Sequence, residues 1–129
     1  MERPQYLIDT NAIIDYLENK LPASDLALMN EALDTKCNVS IITKIEILVF
    51  NTTAEHYLLL ENFLNDVEII DLTSAIADRT IAVRKLYKIK LPDAIIAATA
   101  LVYELTLVTR NVVDFKRING IKIIDPHQQ

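Results

Sequence analysis

The stretch Tyr6-Leu7-Ile8-Asp9-Thr10-Asn11 is the most direct indication of the fold of this chain. Three consecutive apolar residues are typical of a short strand that is buried on both faces, as in a parallel sheet. The acid and the two polar residues after them predict that a helix follows the strand at once. Asp9 is therefore expected at the carboxyl end of a parallel strand, which is where ligands bind in such sheets.

The rest of the chain repeats this alternation of short apolar strands and helices. Strands are predicted at residues 5–9, 37–42, 67–72, 106–109 and 121–124, and helices at 11–20, about 24–34, 43–50, 54–65, 73–87 and 92–104. Strands without polar alternation that are joined by helices predict an α/β fold, with a mostly parallel sheet covered by helices on both faces. The length of 129 residues fits a single domain over residues 1–129.

The composition argues against several kinds of ligand and chemistry. Gly120 is the only glycine, whereas phosphate-binding loops and dinucleotide-binding turns need several glycines. Of the two histidines, His56 lies in a predicted helical stretch and His127 in the C-terminal tail. Their positions argue against a two-histidine ribonuclease and against a zinc site with His/Cys spacing. The single cysteine, Cys37, excludes an internal disulfide and is compatible with a reducing compartment.

No signal for export or membrane insertion is found in the sequence. The N-terminus lacks a basic region followed by a long apolar stretch. The longest apolar stretch, residues 94–103, is well short of the roughly 20 residues that a membrane span needs. We therefore expect a cytoplasmic protein with no membrane partner.

Charge is distributed unevenly along the chain. Residues 1–78 hold 4 Lys/Arg and 14 Asp/Glu, a net of −10, and residues 79–129 hold 9 and 4, a net of +5, which together give the overall −5. The basic residues of the second part are clustered: Arg79, Arg84, Lys85, Lys88, Lys90, Arg110, Lys116 and Arg117. Such a cluster could meet the phosphates of a nucleic acid, and it is equally consistent with solvated helix faces.

Four acids, Asp9, Glu46, Asp93 and Asp114, lie near predicted junctions between strands or loops and helices. Each also has a local explanation. Asp9 could cap a helix, Thr43 to Glu46 fit a capping box, and Asp93 lies in a first helical turn where an anion is favoured. Asp114 alone would be an ordinary surface acid. Glu46, however, lies among apolar residues, and an acid in such surroundings needs a partner, of which a metal is one possibility.

Brought together, these acids would form a site for Mg²⁺ or Mn²⁺, which prefer hard oxygen ligands. Asn111 is a further candidate ligand, since its side-chain oxygen is neutral and hard. Asn11, Thr109 and Arg110 are candidates for positioning a water molecule or the substrate.

Four segments carry a resemblance to a known family. They are Leu7–Asn11, Ser40–Ile47, Leu91–Ala100 and Leu107–Asn111. In this order they resemble the signature of the PIN-domain family, and more closely that of the VapC-type ribonuclease toxins of prokaryotic toxin–antitoxin pairs. The resemblance covers almost the whole chain, from about Tyr6 to Pro126.

The resemblance implies a three-layer fold with about five strands and a metal-dependent endoribonuclease that leaves 5′-phosphate and 3′-hydroxyl ends. It implies Mg²⁺ or Mn²⁺ ligands at Asp9, Glu46 and Asp93, with catalysis by these acids and Asp114. Many members have Asp where this chain has Asn111, so either Asn111 or Asp114 would complete the site. It also implies an RNA substrate, a homodimer and a small antitoxin that covers the site.

Two other readings of the same residues stay open. The chain could be a PIN-like module that binds RNA or protein without cleaving it, for which Asn111 is the main argument. Alternatively, Asp9 or Asp71, which both end predicted strands, could accept a phosphate as in receiver domains or aspartate phosphatases. Against this, the segment after Asp9 lacks a second Asp, and Thr109 stands where a receiver domain would have lysine.

Overall fold

The computed structural model describes residues 5–18, 27, 29–31 and 37–126. Within these ranges the strands are β1 (Tyr6–Ile8), β2 (Cys37–Ser40), β3 (Glu68–Ile70), β4 (Thr106–Val108) and β5 (Lys122–Ile124). The helices are α1 (Thr10–Leu17), α2 (Ile41–Val49), α3 (Ala54–Asp66), α4 (Ser74–Leu86), α5 (Leu91–Val102) and α6 (Val112–Phe115). Most of the helix predicted at 24–34 lies outside the described residues, but residues 27 and 29–31 are helical.

The five strands form one parallel sheet in the order β3-β2-β1-β4-β5, which confirms the predicted α/β fold. In the centre, Leu7 pairs with Asn38 on one side and with Leu107 on the other. β2 and β3 are added on one side of β1, and β4 and β5 on the other side. The order of strands therefore reverses between β1 and β4, and a crevice at the carboxyl ends of these two strands is the expected ligand site.

Apolar side chains cover both faces of the sheet. Successive residues of a strand point to opposite faces, and Ile8 packs into the core cluster that includes α1 and α3 residues while Leu7 packs into the cluster that includes α5. The strands β1 and β2 are therefore buried on both sides, as their lack of polar alternation predicted, whereas the edge strands β3 and β5 are partly exposed. None of the helices in the described ranges is long and apolar enough to cross a membrane.

The junction between β2 and α2 differs from the prediction. The strand ends at Ser40, two residues early, and Ile41 and Ile42 belong to the helix. Ser40 is the N-cap, and its hydroxyl accepts a hydrogen bond from the Ile42 N–H at 3.1 Å. The capping box predicted from Thr43 to Glu46 was wrong, because serine is among the best N-cap residues and takes that position three residues earlier.

Candidate metal centre

The largest group of acids lies in a cleft of about 680 Å³ at the carboxyl ends of β1 and β4. Four acids that the sequence indicated, Asp9, Glu46, Asp93 and Asp114, all line this cleft. They reach it from different elements: Asp9 follows β1, Glu46 lies on α2, Asp93 on α5 and Asp114 on α6. The fold thus brings together acids that are up to 105 positions apart in the sequence (114 minus 9).

Asp9 is the deepest of these acids, with 5% of its surface exposed. One carboxylate oxygen accepts from the Thr10 N–H at 2.8 Å and the other from the Thr109 hydroxyl at 2.8 Å. Burial raises the pKa of Asp9 to about 6, the two hydrogen bonds oppose this rise, and the charges of Asp93 and Glu46 add to it. Asp9 caps α1 as predicted, but capping alone leaves a buried negative charge between two neutral donors.

Thr10 orients two of the carboxylates. Its N–H donates to Asp9, and its hydroxyl donates to Glu46 Oε1 at 2.6 Å. The hydroxyl of Thr43 lies 3.1 Å from that of Thr10, so a short buried chain of polar groups joins α1 to α2. Thr10 was not predicted as a site residue, because its only distinction in the sequence is its position directly after Asp9.

Asp93 lies in the first turn of α5 and is half-buried. Its pKa is raised by burial first, and then by the negative charges of Glu46 and Asp114, while Lys90 partly offsets the rise. Asp114 is exposed at the rim, where it accepts a hydrogen bond from the Asn111 amide at 3.0 Å. Asn111 and Asp114 therefore occupy the same edge of the cleft.

Thr109 lies behind Asp9 and does not line the cleft. It is fully buried, donates to Asp9 and accepts from the Asn111 N–H at 3.0 Å. In this structure Thr109 therefore positions Asp9, whereas the sequence suggested contact with water or substrate.

Arg110 lies in a smaller neighbouring groove of about 300 Å³, together with Asn11, Asp15 and Asn111. Its guanidinium forms an ion pair with the buried carboxylate of Asp15 on α1. Asn11 is exposed and lines both this groove and the acidic cleft, so it remains within reach of a ligand in the cleft. The sequence did not identify Asp15, although an acid beside Ile13 and Ile14 could have suggested a paired buried charge.

Basic residues also line the cleft. Arg84, Lys88 and Lys90, all from the basic cluster of the second part of the chain, line it together with the four acids. The cleft thus offers carboxylates to a cation and ammonium or guanidinium groups to an anion.

Asp71 is not part of this arrangement. It is exposed after the edge strand β3 and lines a separate cavity of about 350 Å³, which it shares with Glu68 and Asn38. The structure therefore does not bring Asp71 to Asp9.

The donor set fits a hard divalent cation that keeps part of its water shell. In the part of the chain that the structure describes, no three His, Cys, Asp or Glu side chains are close enough to enclose a metal by themselves. Mg²⁺ does not require this, because it is commonly bound by one or two carboxylates and retains several waters. Burial first, and then the charges of neighbouring acids, raise the pKa of Asp9 and of Asp93. A divalent cation would offset the negative charge of these carboxylates.

The fold and cleft define an α/β protein with a carboxylate site at the switch point of a parallel sheet. The model of the PIN domain family matches residues 6–121 of the chain. The chain belongs to the PIN-domain family. No individual curated protein matches the sequence.

Solved structures with the same fold come from toxin–antitoxin complexes. A chain of a toxin–antitoxin complex from Klebsiella pneumoniae is 34% identical, with a TM-score of 0.79 over 97% of this chain and 100% of that one. A chain of DNA-bound VapBC from Salmonella typhimurium is 26% identical, with a TM-score of 0.80 over 96% and 99%. A chain of VapBC2 from Rickettsia felis, bound to a promoter DNA fragment, is 24% identical with a TM-score of 0.78 over 92% and 96%, and shows the shared fold.

Proposed function

We propose that this protein is a Mg²⁺- or Mn²⁺-dependent endoribonuclease and the toxin of a toxin–antitoxin pair, acting in the cytoplasm. The observation that carries the proposal is the convergence of Asp9, Glu46, Asp93 and Asp114 on one cleft that also exposes cations. Acids suit the metal, and Arg84 and Lys88 suit the phosphates of RNA. Membership of the PIN-domain family supports nuclease chemistry, and the likeness to toxin–antitoxin structures supports the biological role.

Asp9, Glu46 and Asp93 would hold the metal, one or two of them directly and the others through its bound waters, and Asn111 or Asp114 would complete the site. When bound, the metal would supply a Lewis acid that makes a water molecule more acidic and offsets charge on the phosphate. The hydrogen bonds from Thr10 and Thr109 fix both oxygens of Asp9, and Thr10 fixes one oxygen of Glu46. The chain therefore holds two of the carboxylates in place before any ligand arrives.

We assign to the Asp93 carboxylate the acceptance of a proton from the attacking water. Asp93 is half-buried in the first turn of α5 and lines the cleft beside the other acids, so its carboxylate is placed to act as a base at this site. The water oxygen bonds to phosphorus, the bond from phosphorus to the 3′ oxygen breaks, and that oxygen takes up a proton. The products are a 3′-hydroxyl and a 5′-phosphate end.

The test is cleavage of end-labelled single-stranded RNA by purified protein, with Mn²⁺, Mg²⁺ or a chelator. Asp93→Asn should lower the cleavage rate by roughly 10²–10⁴-fold. Asp78→Asn, which changes an exposed acid on α4 outside the cleft, is the matched control and should keep the parental rate. The new 5′ ends should be substrates for RNA ligase without prior phosphorylation.

Cleavage in the presence of chelator, or equal cleavage by parent and Asp93→Asn, would contradict the mechanism. Metal-dependent RNA binding without any cleavage by the parent would instead support the alternative of a non-cleaving module. Purification of both variants side by side controls for contaminating nucleases.

The proposed antitoxin and homodimer have support from the exposed apolar side chains of α2 and α3. Ile45 and Val49 on α2 and Leu58 and Leu59 on α3 are exposed, and exposed apolar groups of this kind mark partner surfaces. A short open reading frame directly before or overlapping the gene, whose product co-purifies and suppresses cleavage, is the expected finding. The mass in solution tests the dimer.

A further inference from the structure

The smaller groove beside the acidic cleft, which we call the amide groove, is lined by polar side chains. Around a volume of about 300 Å³ lie Asn11, Asp15, Arg110 and Asn111. Two of these residues, Asn11 and Asn111, also line the acidic cleft, so the two depressions adjoin. Of the described residues, the cations Arg84, Lys88 and Lys90 line the cleft but not the amide groove. A strand bound in the cleft can therefore reach a second surface of different chemistry.

Arg110 is held at this groove by a buried acid. Its guanidinium pairs through Nη1 with Asp15 on α1, whose side chain is 11% exposed, whereas 47% of the Arg110 side chain is exposed. The backbone around Arg110 is held as well, because the buried Thr109 hydroxyl accepts from the Asn111 N–H at 3.0 Å. The guanidinium is thus fixed before a ligand arrives, which lowers the entropic cost of binding.

Several hydrogen-bonding groups of the groove are left for a ligand. Within the described part of the chain, Arg110 donates only through Nη1, so the N–H groups of Nε and Nη2 have no protein partner. The exposed side chain of Asn11 makes no hydrogen bond to a described residue. The groove therefore offers an edge with two donors, and beside it an amide that can both donate and accept.

The charge balance of the groove favours a base over a phosphate. Asp15 offsets the charge of Arg110, and no second cation is found among the described residues that line the groove. Phosphate binding gains most from uncompensated positive charge, whereas a base edge is read by the direction and spacing of hydrogen bonds. Two neighbouring donors of arginine match the O6 and N7 acceptors of guanine. Adenine has a donor in place of O6, and the pyrimidines have no N7.

We propose that the amide groove binds a guanine base next to the cleaved phosphodiester. Nε and Nη2 of Arg110 would donate to its O6 and N7, with Asn11 as a further contact. The proposal rests on the proposed function and deepens it by naming one nucleotide of the RNA. Arg110 would select where the strand is cut, and the carboxylates of the cleft would carry out the cut. The guanine must be unpaired, because the corresponding groove of an RNA duplex is too narrow for side chains to read.

The experiment measures the preference for guanine rather than the rate of cleavage. A pool of single-stranded RNAs that differ only in a random central segment is cleaved with Mn²⁺, and the new ends are sequenced. The parent should cleave next to guanine about 5- to 150-fold faster than next to other bases, which is the range for one bidentate contact. Inosine keeps O6 and N7 and should replace guanine, whereas 7-deazaguanine should lose the preference.

Arg110→Lys is the informative variant, because lysine keeps the charge but not the edge with two donors. It should bring the preference for guanine below about twofold. Since this preference compares substrates of one and the same protein, a general loss of activity or of folded protein does not change it. Arg79→Lys changes an exposed arginine on α4 that lines neither depression. It is the matched control and should keep the parental preference.

A parent that cleaves without regard to guanine would overturn the proposal. So would an Arg110→Lys variant that cleaves all sequences more slowly but keeps the preference. In that case Arg110 would be only a structural partner of Asp15 or a contact to phosphate.

A binding measurement separates this proposal from the proposed catalysis. A fluorescent strand of about 12 nucleotides, with one guanine among uridines, is compared by anisotropy with an all-uridine strand, in the Asp93→Asn background. If the parent does not cleave RNA but the guanine strand binds more tightly, and Arg110→Lys removes the difference, the catalysis is wrong and the guanine site stands. If the parent cleaves next to all bases alike, the guanine site is wrong and the catalysis stands. Neither cleavage nor a difference in binding would overturn both.

Discussion

Replacement of Asp9 by asparagine should stabilise the metal-free protein at neutral pH. Its pKa of about 6, against an ordinary value of 3.8, means that the buried negative charge costs about 3 kcal/mol above pH 6. Asparagine removes the charge but keeps only one acceptor for the donors Thr10 and Thr109, which costs about 1 kcal/mol. The net gain is about 2 kcal/mol, or roughly 5–8 °C in Tm for a domain of this size.

The pH dependence follows from the sign of the shift. Because the folded protein holds the Asp9 proton more tightly than the unfolded chain, the unfolding free energy of the parent falls as pH rises from about 4 to about 6. At pH 5 the buried charge lowers the free energy of unfolding of the parent by only about half as much as at pH 7.5. The gain in free energy of unfolding from Asp9→Asn should therefore shrink to about 0.5 kcal/mol. The measurement is urea unfolding of parent and variant at pH 5 and pH 7.5, in the presence of a chelator.

Asp15→Asn is the matched control, since it makes the same change at a buried acid that is paired with Arg110. It should lower stability by about 1 kcal/mol, because it removes an ion pair with a partly exposed partner. A loss of stability for Asp9→Asn at pH 7.5, or a gain that is equal at both pH values, would refute the electrostatic account of Asp9.

Three further outcomes are expected. Mn²⁺ at 100 times its dissociation constant should raise the free energy of unfolding of the parent by about 3 kcal/mol, and its Tm accordingly. The Tm of Asp9→Asn should not change with Mn²⁺, and a chelator should reverse the rise in the parent. Thr10→Val should reduce RNA cleavage about tenfold or more while Thr10→Ser retains it, because only the serine keeps the hydroxyl that orients Glu46; equal rates for the two would contradict this role. Burial raises the pKa of Cys37 to about 12, so a thiol reagent at pH 8 should label this cysteine only after denaturant is added, and rapid labelling of the native protein would contradict its burial.

The strands and most helices could be predicted because their pattern is local. Tyr6 to Ile8 and the pair Leu107-Val108 are apolar on both faces, and this is visible without knowing their neighbours. The predicted end of β2, at residue 42, was wrong because Ile41 and Ile42 favour a strand by composition. In the structure the N-cap at Ser40 and the packing of α2 place both residues in the helix instead. Propensity is a weak guide at such a junction.

The four acids that line the cleft were identifiable from their positions in the sequence, but their hydrogen-bond and ion-pair partners were not. Nothing in the sequence near Asp9 indicates that Thr109 donates to it, since that contact spans 100 residues. The pairing of Arg110 with Asp15 is equally remote and moves the guanidinium into the neighbouring groove. Such contacts depend on strand order, which local patterns do not determine.

The contact between Asp9 and Thr109 also has a consequence during biosynthesis. Thr109 is synthesised 100 residues after Asp9, which at roughly 5–20 residues per second is a delay of about 5–20 s. Until β4 is made, β1 lacks its neighbour on that side, and the cleft lacks Asn111 and Asp114. A growing chain therefore has no complete cleft until β4 and the segment with Asn111 and Asp114 have left the ribosome.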